Sequence, residues 1–133
     1  MVWNLAKLAL VTILGCLGAL HVVWAVGSPW PARDHEVLGR HVIGRGVVPS
    51  ALPCLVVAGG LALFAWAFAS ESVGLARLVC FGATGVFAIR GVLGFFEPWL
   101  RPAIVETPYE LYSRYMYSPL CLLIAALGAE TLR

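Results

Sequence analysis

Charge is what this chain has least of. Asp, Glu, Lys and Arg make up 12% of its 133 residues, where a soluble domain carries about 25%. The formal net charge is only +2 and no run of Lys or Arg occurs, so the chain has no electrostatic footprint for nucleic acid. Cysteine is sparse and dispersed, at Cys16, Cys54, Cys80 and Cys121. No two are spaced as a redox pair or as zinc ligands. Each lies in or at the edge of an apolar run, where a free thiol packs as a small hydrophobe. Of the three histidines only His21 falls inside an apolar run, so a haem held by two histidines within a helix bundle lacks its second ligand. Asp34, His35, Glu36 and His41 stand near one another but match no metal-ligand spacing, and a solvated loop is expected there. Phosphate-binding glycine loops, dinucleotide fingerprints and nucleophile motifs are missing. The sequence therefore names no cofactor and no metal.

What is present is apolar sequence: 61% of the residues are hydrophobic and the mean hydropathy is +0.90. A small soluble domain leaves much of its surface wet and cannot hide such an excess. Four apolar segments run from about residue 5 to 26, 51 to 69, 76 to 96 and 116 to 129. A helix crosses the hydrocarbon core with about 20 residues. The first three segments suffice, and the fourth does so if its helix begins earlier, within Tyr112 to Tyr117. None alternates with period two, so helices are expected rather than a barrel. The first segment reads as a transmembrane helix rather than a signal peptide, because Lys7 alone makes a poor basic leader and the apolar run is long. The fold predicted is all-α: one integral membrane domain, a four-helix transmembrane bundle.

Pro49 and Pro53 open the second segment, where a first turn tolerates proline. Gly15, Gly18 and Ala19 on the first helix, and Gly82, Gly85 and Gly91 on the third, would let backbones approach closely in lipid. Ser118 followed by Pro119 reads as the cap and first residue of the fourth helix. The connections are unequal. Residues 27–48 and 97–115 form two long polar loops, whereas 70–75 is tight. Four crossings place both long loops on one face, the expected working face. The arginine count slightly favours that face as cytoplasmic, but Asp34, Glu36, Glu97, Glu106 and Glu110 accompany the arginines, and orientation stays open.

One charge interrupts the apolar runs. Arg90 lies inside the third segment, where a guanidinium in hydrocarbon costs at least about 2.5–3.5 kcal/mol. It needs a partner, water or a path to the interface. Glu97 follows two helical turns later on the same stripe, about 10 Å along the axis. His21 and Trp24 end the first helix on the same face, and Tyr117 enters with the fourth. His21, Trp24, Arg90, Glu97 and Tyr117 are thus expected to converge on a shallow intramembrane pocket, as ligand-binding groups or as an ion pair with an aromatic rim.

Leu20-His21-Val22-Val23-Trp24-Ala25-Val26-Gly27 and Tyr117-Ser118-Pro119-Leu120-Cys121-Leu122, with Arg90-Gly91 and Thr107-Pro108, carry a likeness. The chain resembles a family of small bacterial membrane proteins catalogued as domain of unknown function 3995. The resemblance covers nearly the whole chain and implies one domain of four helices, in a multi-pass protein of the bacterial cytoplasmic membrane; it implies no activity. Two roles fit these residues. One is an accessory subunit or binding module, packed against a larger membrane complex or a second copy of itself through its small-residue faces. The other is a binding protein or enzyme for an amphipathic small molecule such as a lipid, quinone or isoprenoid. Arg90 would then hold the head group and His21 and Glu97 would handle protons. A transporter fits less well, because no inverted repeat is evident.

Overall fold

The computed structural model describes residues 4–46, 50–70 and 73–133. Pro49 and the end of the first long loop lie outside them. All regular structure among the described residues is helical: α1 (Leu5–Ala25), α2 (His35–Val42), α3 (Ala51–Ala69), α4 (Leu75–Leu100), α5 (Pro108–Tyr112) and α6 (Ser118–Thr131). A 3-10 turn at Pro102–Ile104 precedes α5, and a π-helical segment, Ser113–Tyr117, joins α5 to α6. The helical run from Pro108 to Thr131 is therefore unbroken. Three helices, α1, α3 and α4, are long and apolar enough to cross a membrane.

Local chemistry explains where these helices start. The Asn4 side chain accepts the Lys7 N–H at 2.8 Å and caps α1, satisfying one of the donors that every helix N-terminus leaves over. Pro53 falls in the first turn of α3, where its missing N–H costs no helical bond. Apolar residues cover α3 on every side and α1 nearly so, Lys7, Thr12 and His21 excepted, the pattern of a helix surrounded by lipid or protein. Much of that surface faces outward: Leu52 is 72% and Val56 66% exposed. Water does not tolerate a contiguous apolar surface of this extent, whereas lipid does.

The rods pair antiparallel. Near one end of the α1/α3 pair, the Lys7 ammonium donates to the Ser70 carbonyl; at mid-helix, Gly18 faces Ala58 and Leu61. In the second pair, Arg77 donates to the Leu132 carbonyl and Gly91 meets Leu122. A Cβ at position 91 would sit 2.7 Å from the Leu122 side chain, so glycine sets the α4–α6 spacing there. Between the pairs lies the core of Leu10, Leu14, Leu61, Phe68, Cys80 and Ile124. By contrast, a Cβ at Gly15, Gly82 or Gly85 would meet nothing within 4 Å. These three expected packing glycines face away from the protein's own helices.

Three expectations change. Residues 35–42 are helical rather than loop: Asp34 caps α2 by accepting the Val37 N–H at 2.9 Å. Helix α4 continues past Phe96 and through Pro98, which puts Glu97 on the helix instead of in a loop. Finally, Ser118 does not cap a helix. Its backbone is already right-handed helical and its N–H donates to Ser113, five residues back. The true start is eleven residues upstream, where the Thr107 hydroxyl accepts from Glu110 N–H and Pro108 takes the first position. The π segment is the reason a proline can follow at 119. A proline inside an α-helix lacks one N–H and crowds the carbonyl four residues back, and a widened turn just before it relieves both.

Candidate functional site

Two neighbouring regions at one end of the rods hold the polar side chains that sequence reasoning singled out. The first is a knot around Glu97. Its carboxylate accepts from Arg101 Nη1 at 2.7 Å, from the Tyr109 hydroxyl at 2.9 Å and from the Ser113 hydroxyl at 3.3 Å. Arg90 Nη2 lies 3.7 Å from Glu97 Oε2 and donates to the Tyr109 oxygen at 3.1 Å. A proton-ordered path therefore runs from Arg90 through the phenol to the carboxylate. The Glu97 side chain is 16% exposed, and donors from Arg101, Tyr109 and Ser113 are directed at its oxygens. Arg101 also stands over the Tyr109 ring, 5.7 Å from its centroid, a favourable place for a cation.

The knot reaches α2. Arg101 Nη2 donates to the Ile43 carbonyl at 3.3 Å, and the Tyr117 hydroxyl donates to the His41 carbonyl at 3.0 Å. These are carbonyls at the C-terminal end of α2, which have no partner within the helix and carry its negative dipole end. A guanidinium and a phenol thus latch α2 onto the rest of the molecule. Gly44 follows at φ +79°, and a Cβ there would come within 3.1 Å of Ile104. The chain leaves α2 in a left-handed conformation and in a space that only glycine suits.

The second region is the cavity beneath α2. It has a volume of about 340 Å³ and is bounded by α1, α2 and the π segment, with Trp24, Leu38, His41, Tyr112, Met116 and Tyr117 among its lining residues. Its walls are apolar with a few polar edges, the usual character of a small-molecule site, at the small end of the usual size range. Helix α2 closes the cavity because its apolar residues recur as Val37, Leu38 and Val42 while Glu36 and Arg40 pair on the outer side.

The five expected residues do not form one pocket. Arg90 and Glu97 meet in the knot. Trp24 and Tyr117 line the cavity, and Arg90, Glu97 and His21 do not. His21 Nδ1 donates to its own Leu17 carbonyl at 2.7 Å and its ring packs edge-on to Trp24. Trp24 donates through Nε1 to the Trp30 carbonyl at 2.7 Å, which closes the turn that follows α1. Among the described residues no group of three or more His, Cys, Asp or Glu could hold a metal ion.

Sequence reasoning missed Arg101, Tyr109, Ser113 and His41. Two signals were available. Arg101 follows Glu97 by four residues, the spacing of a helical ion pair, but Pro98 between them reads as a helix end. Asp34 followed by apolar residues at 37, 38 and 42 is a capped amphipathic turn, hidden by the charges around it.

Helical structure throughout the described residues, with three helices long and apolar enough to cross a membrane, points to the class of small multi-helix membrane proteins. Within that class, the family model described as "Protein of unknown function (DUF3995)" matches residues 14–128, and the chain belongs to that family. No curated protein and no solved structure matches it.

Proposed function

We propose that this protein is a multi-pass binding module of the bacterial cytoplasmic membrane, a four-helix transmembrane bundle that takes an apolar or amphipathic small molecule (a lipid, quinone or isoprenoid) into the cavity beneath α2. The unbroken helical run from Pro108 to Thr131 supports the fourth crossing; at 1.5 Å per residue it is about 36 Å long, enough for a bilayer core of about 30 Å. The observation that carries the binding reading is the cavity itself, apolar, aromatic-edged and roofed by a short helix. The knot supports it indirectly. Glu97 is bonded on both oxygens and Arg90 is directed at Tyr109 and Glu97, so these groups position α2 and leave ligand contact to the cavity wall.

Native mass spectrometry of the protein, extracted gently from its own membrane, tests this. The parent is expected to carry a bound small molecule. Ala32 also lines the cavity, and Ala32→Trp, which puts an indole there, is expected to lose it while remaining folded. A parent free of small molecules overturns the reading.

A second reading is an accessory subunit of a larger membrane complex, or a self-associating one. It rests on Gly15, Gly82 and Gly85, whose outward faces meet nothing within 4 Å among the described residues and are of the kind that lets another helix approach closely. A reproducible protein partner and no small molecule in the same experiment would favour it.

A further inference from the structure

His41 belongs to a stretch expected to be a solvated loop, yet it is a cavity wall residue. Its ring is fixed by two contacts. Nδ1 lies 2.6 Å from the Val37 carbonyl, and the ring packs edge-on to Tyr112 with centroids 5.1 Å apart. A carbonyl oxygen has no proton to give, so Nδ1 must carry the hydrogen of that bond. In the neutral imidazole the other nitrogen, Nε2, is then a bare acceptor. Nε2 has no hydrogen-bond partner among the described residues, and it is not among the polar atoms sealed from contact. The remaining polar groups of the wall are largely committed: Trp24 Nε1 to Trp30, and the Tyr117 proton to the His41 carbonyl. Besides the Tyr112 hydroxyl, which can turn either way, the cavity wall therefore offers an apolar body and the one fixed lone pair of His41, with no charged side chain among its lining residues.

We infer that the occupant of this cavity is an apolar molecule bearing a hydroxyl, such as an isoprenoid alcohol or a quinol, and that His41 Nε2 accepts its proton in a hydrogen bond. The inference rests on the binding reading above and narrows its ligand class. An anionic head group would meet no cation on this wall. A molecule with only acceptors, such as a quinone or an ester, would leave Nε2 unmatched. Leaving a buried acceptor without a donor is what discriminates most strongly between otherwise similar ligands.

The test compares farnesol with farnesyl methyl ether, which has the same chain but cannot donate, on the parent, His41→Phe and Ala32→Trp in nanodiscs. The parent should bind farnesol about tenfold more tightly than the ether, the worth of one matched hydrogen bond. His41→Phe keeps a ring against Tyr112 and should bind both at the level of the ether. Ala32→Trp should bind neither. Because His41→Phe also removes the bond to Val37, nitrogen-15 NMR of the parent gives a second reading: the Nε2 resonance should shift on adding farnesol and not on adding the ether. Equal affinity of the parent for both probes, with both lost in Ala32→Trp, overturns the hydroxyl inference and leaves the cavity function standing. A preference retained in His41→Phe, or an Nε2 resonance unmoved by farnesol, also overturns it. Failure of the parent to bind either probe overturns the inference and the cavity function together.

Discussion

The knot and the cavity lie side by side and share Arg101 and Tyr117 as links to α2, yet they are opposites. In the knot, Glu97 uses both oxygens, and Arg101, Tyr109 and Ser113 each turn a donor to it. In the cavity, the walls are apolar and one imidazole nitrogen is left over. A densely bonded network of this kind holds elements in register, whereas an apolar hollow with a spare acceptor is ready to receive a partner. Arg90, the charge that stands out most in the sequence, belongs to the densely bonded region. An intramembrane cation is a sound pointer to polar structure in lipid, but the group left without a partner marks the place for a ligand more directly.

The largest effect should come from the hub of the knot. Glu97→Gln leaves Arg90 and Arg101 without a counter-charge, and breaking such a pair costs about 3–5 kcal/mol. Thermal unfolding in detergent should show a large loss. Arg90→Leu should be far milder, because the lost hydrogen bond is offset by relief of about 2.5–3.5 kcal/mol of burial cost and Arg101 still neutralises Glu97. Equal losses in the two variants would break the division between a hub and its partners. A smaller effect is expected at the link. Tyr117→Phe removes the hydroxyl bound to the His41 carbonyl, worth about 1 kcal/mol. Amide exchange in α2 should speed up about fivefold, with α1 and α3 unchanged. If the whole molecule loosens equally, α2 is not a separately latched element.

The smallest effect concerns the other end of α2. The Val37 N–H bond is the main cause that holds the Asp34 carboxyl below its ordinary value of 3.8, with the nearby Arg33 adding to it and burial opposing it. A carboxyl with a lowered folded value contributes stability above its unfolded value and loses it as pH falls through the folded one. Protection of the first turn of α2 should therefore be constant from neutrality to about pH 5 and decline below about pH 4. Asp34→Ala should remove that dependence.

The long apolar rods were legible because their hydrophobicity is continuous: Ala51–Ala69 is read from the sequence with the bounds it has in the structure. The helices around the site were not, and the reasons are local. Pro98 stands inside α4 and Pro119 inside the run that ends at Thr131, two places where proline ordinarily marks an edge. Placing Arg90 and Glu97 on one stripe needed only helical spacing. Finding Tyr109 between them needed the path of residues 101–108 back beneath the end of α4, which no periodicity encodes. The cavity draws its lining from residues as far apart as Leu20 and Tyr117, and no local pattern joins them.

The π segment has a consequence for how this chain can vary. It holds one residue more than the same stretch of α-helix would, and each residue of an α-helix turns the chain by about 100°. The wide turn absorbs that extra 100°, so deleting the exposed Tyr115 or Arg114 would let the stretch close as ordinary α-helix with Tyr109, Ser113 and α6 near their present places. The Pro119 ring would then press on the carbonyl four residues back. The extra residue is therefore room made for a proline: side chains on the surface of this stretch can be exchanged freely, but its length and Pro119 go together.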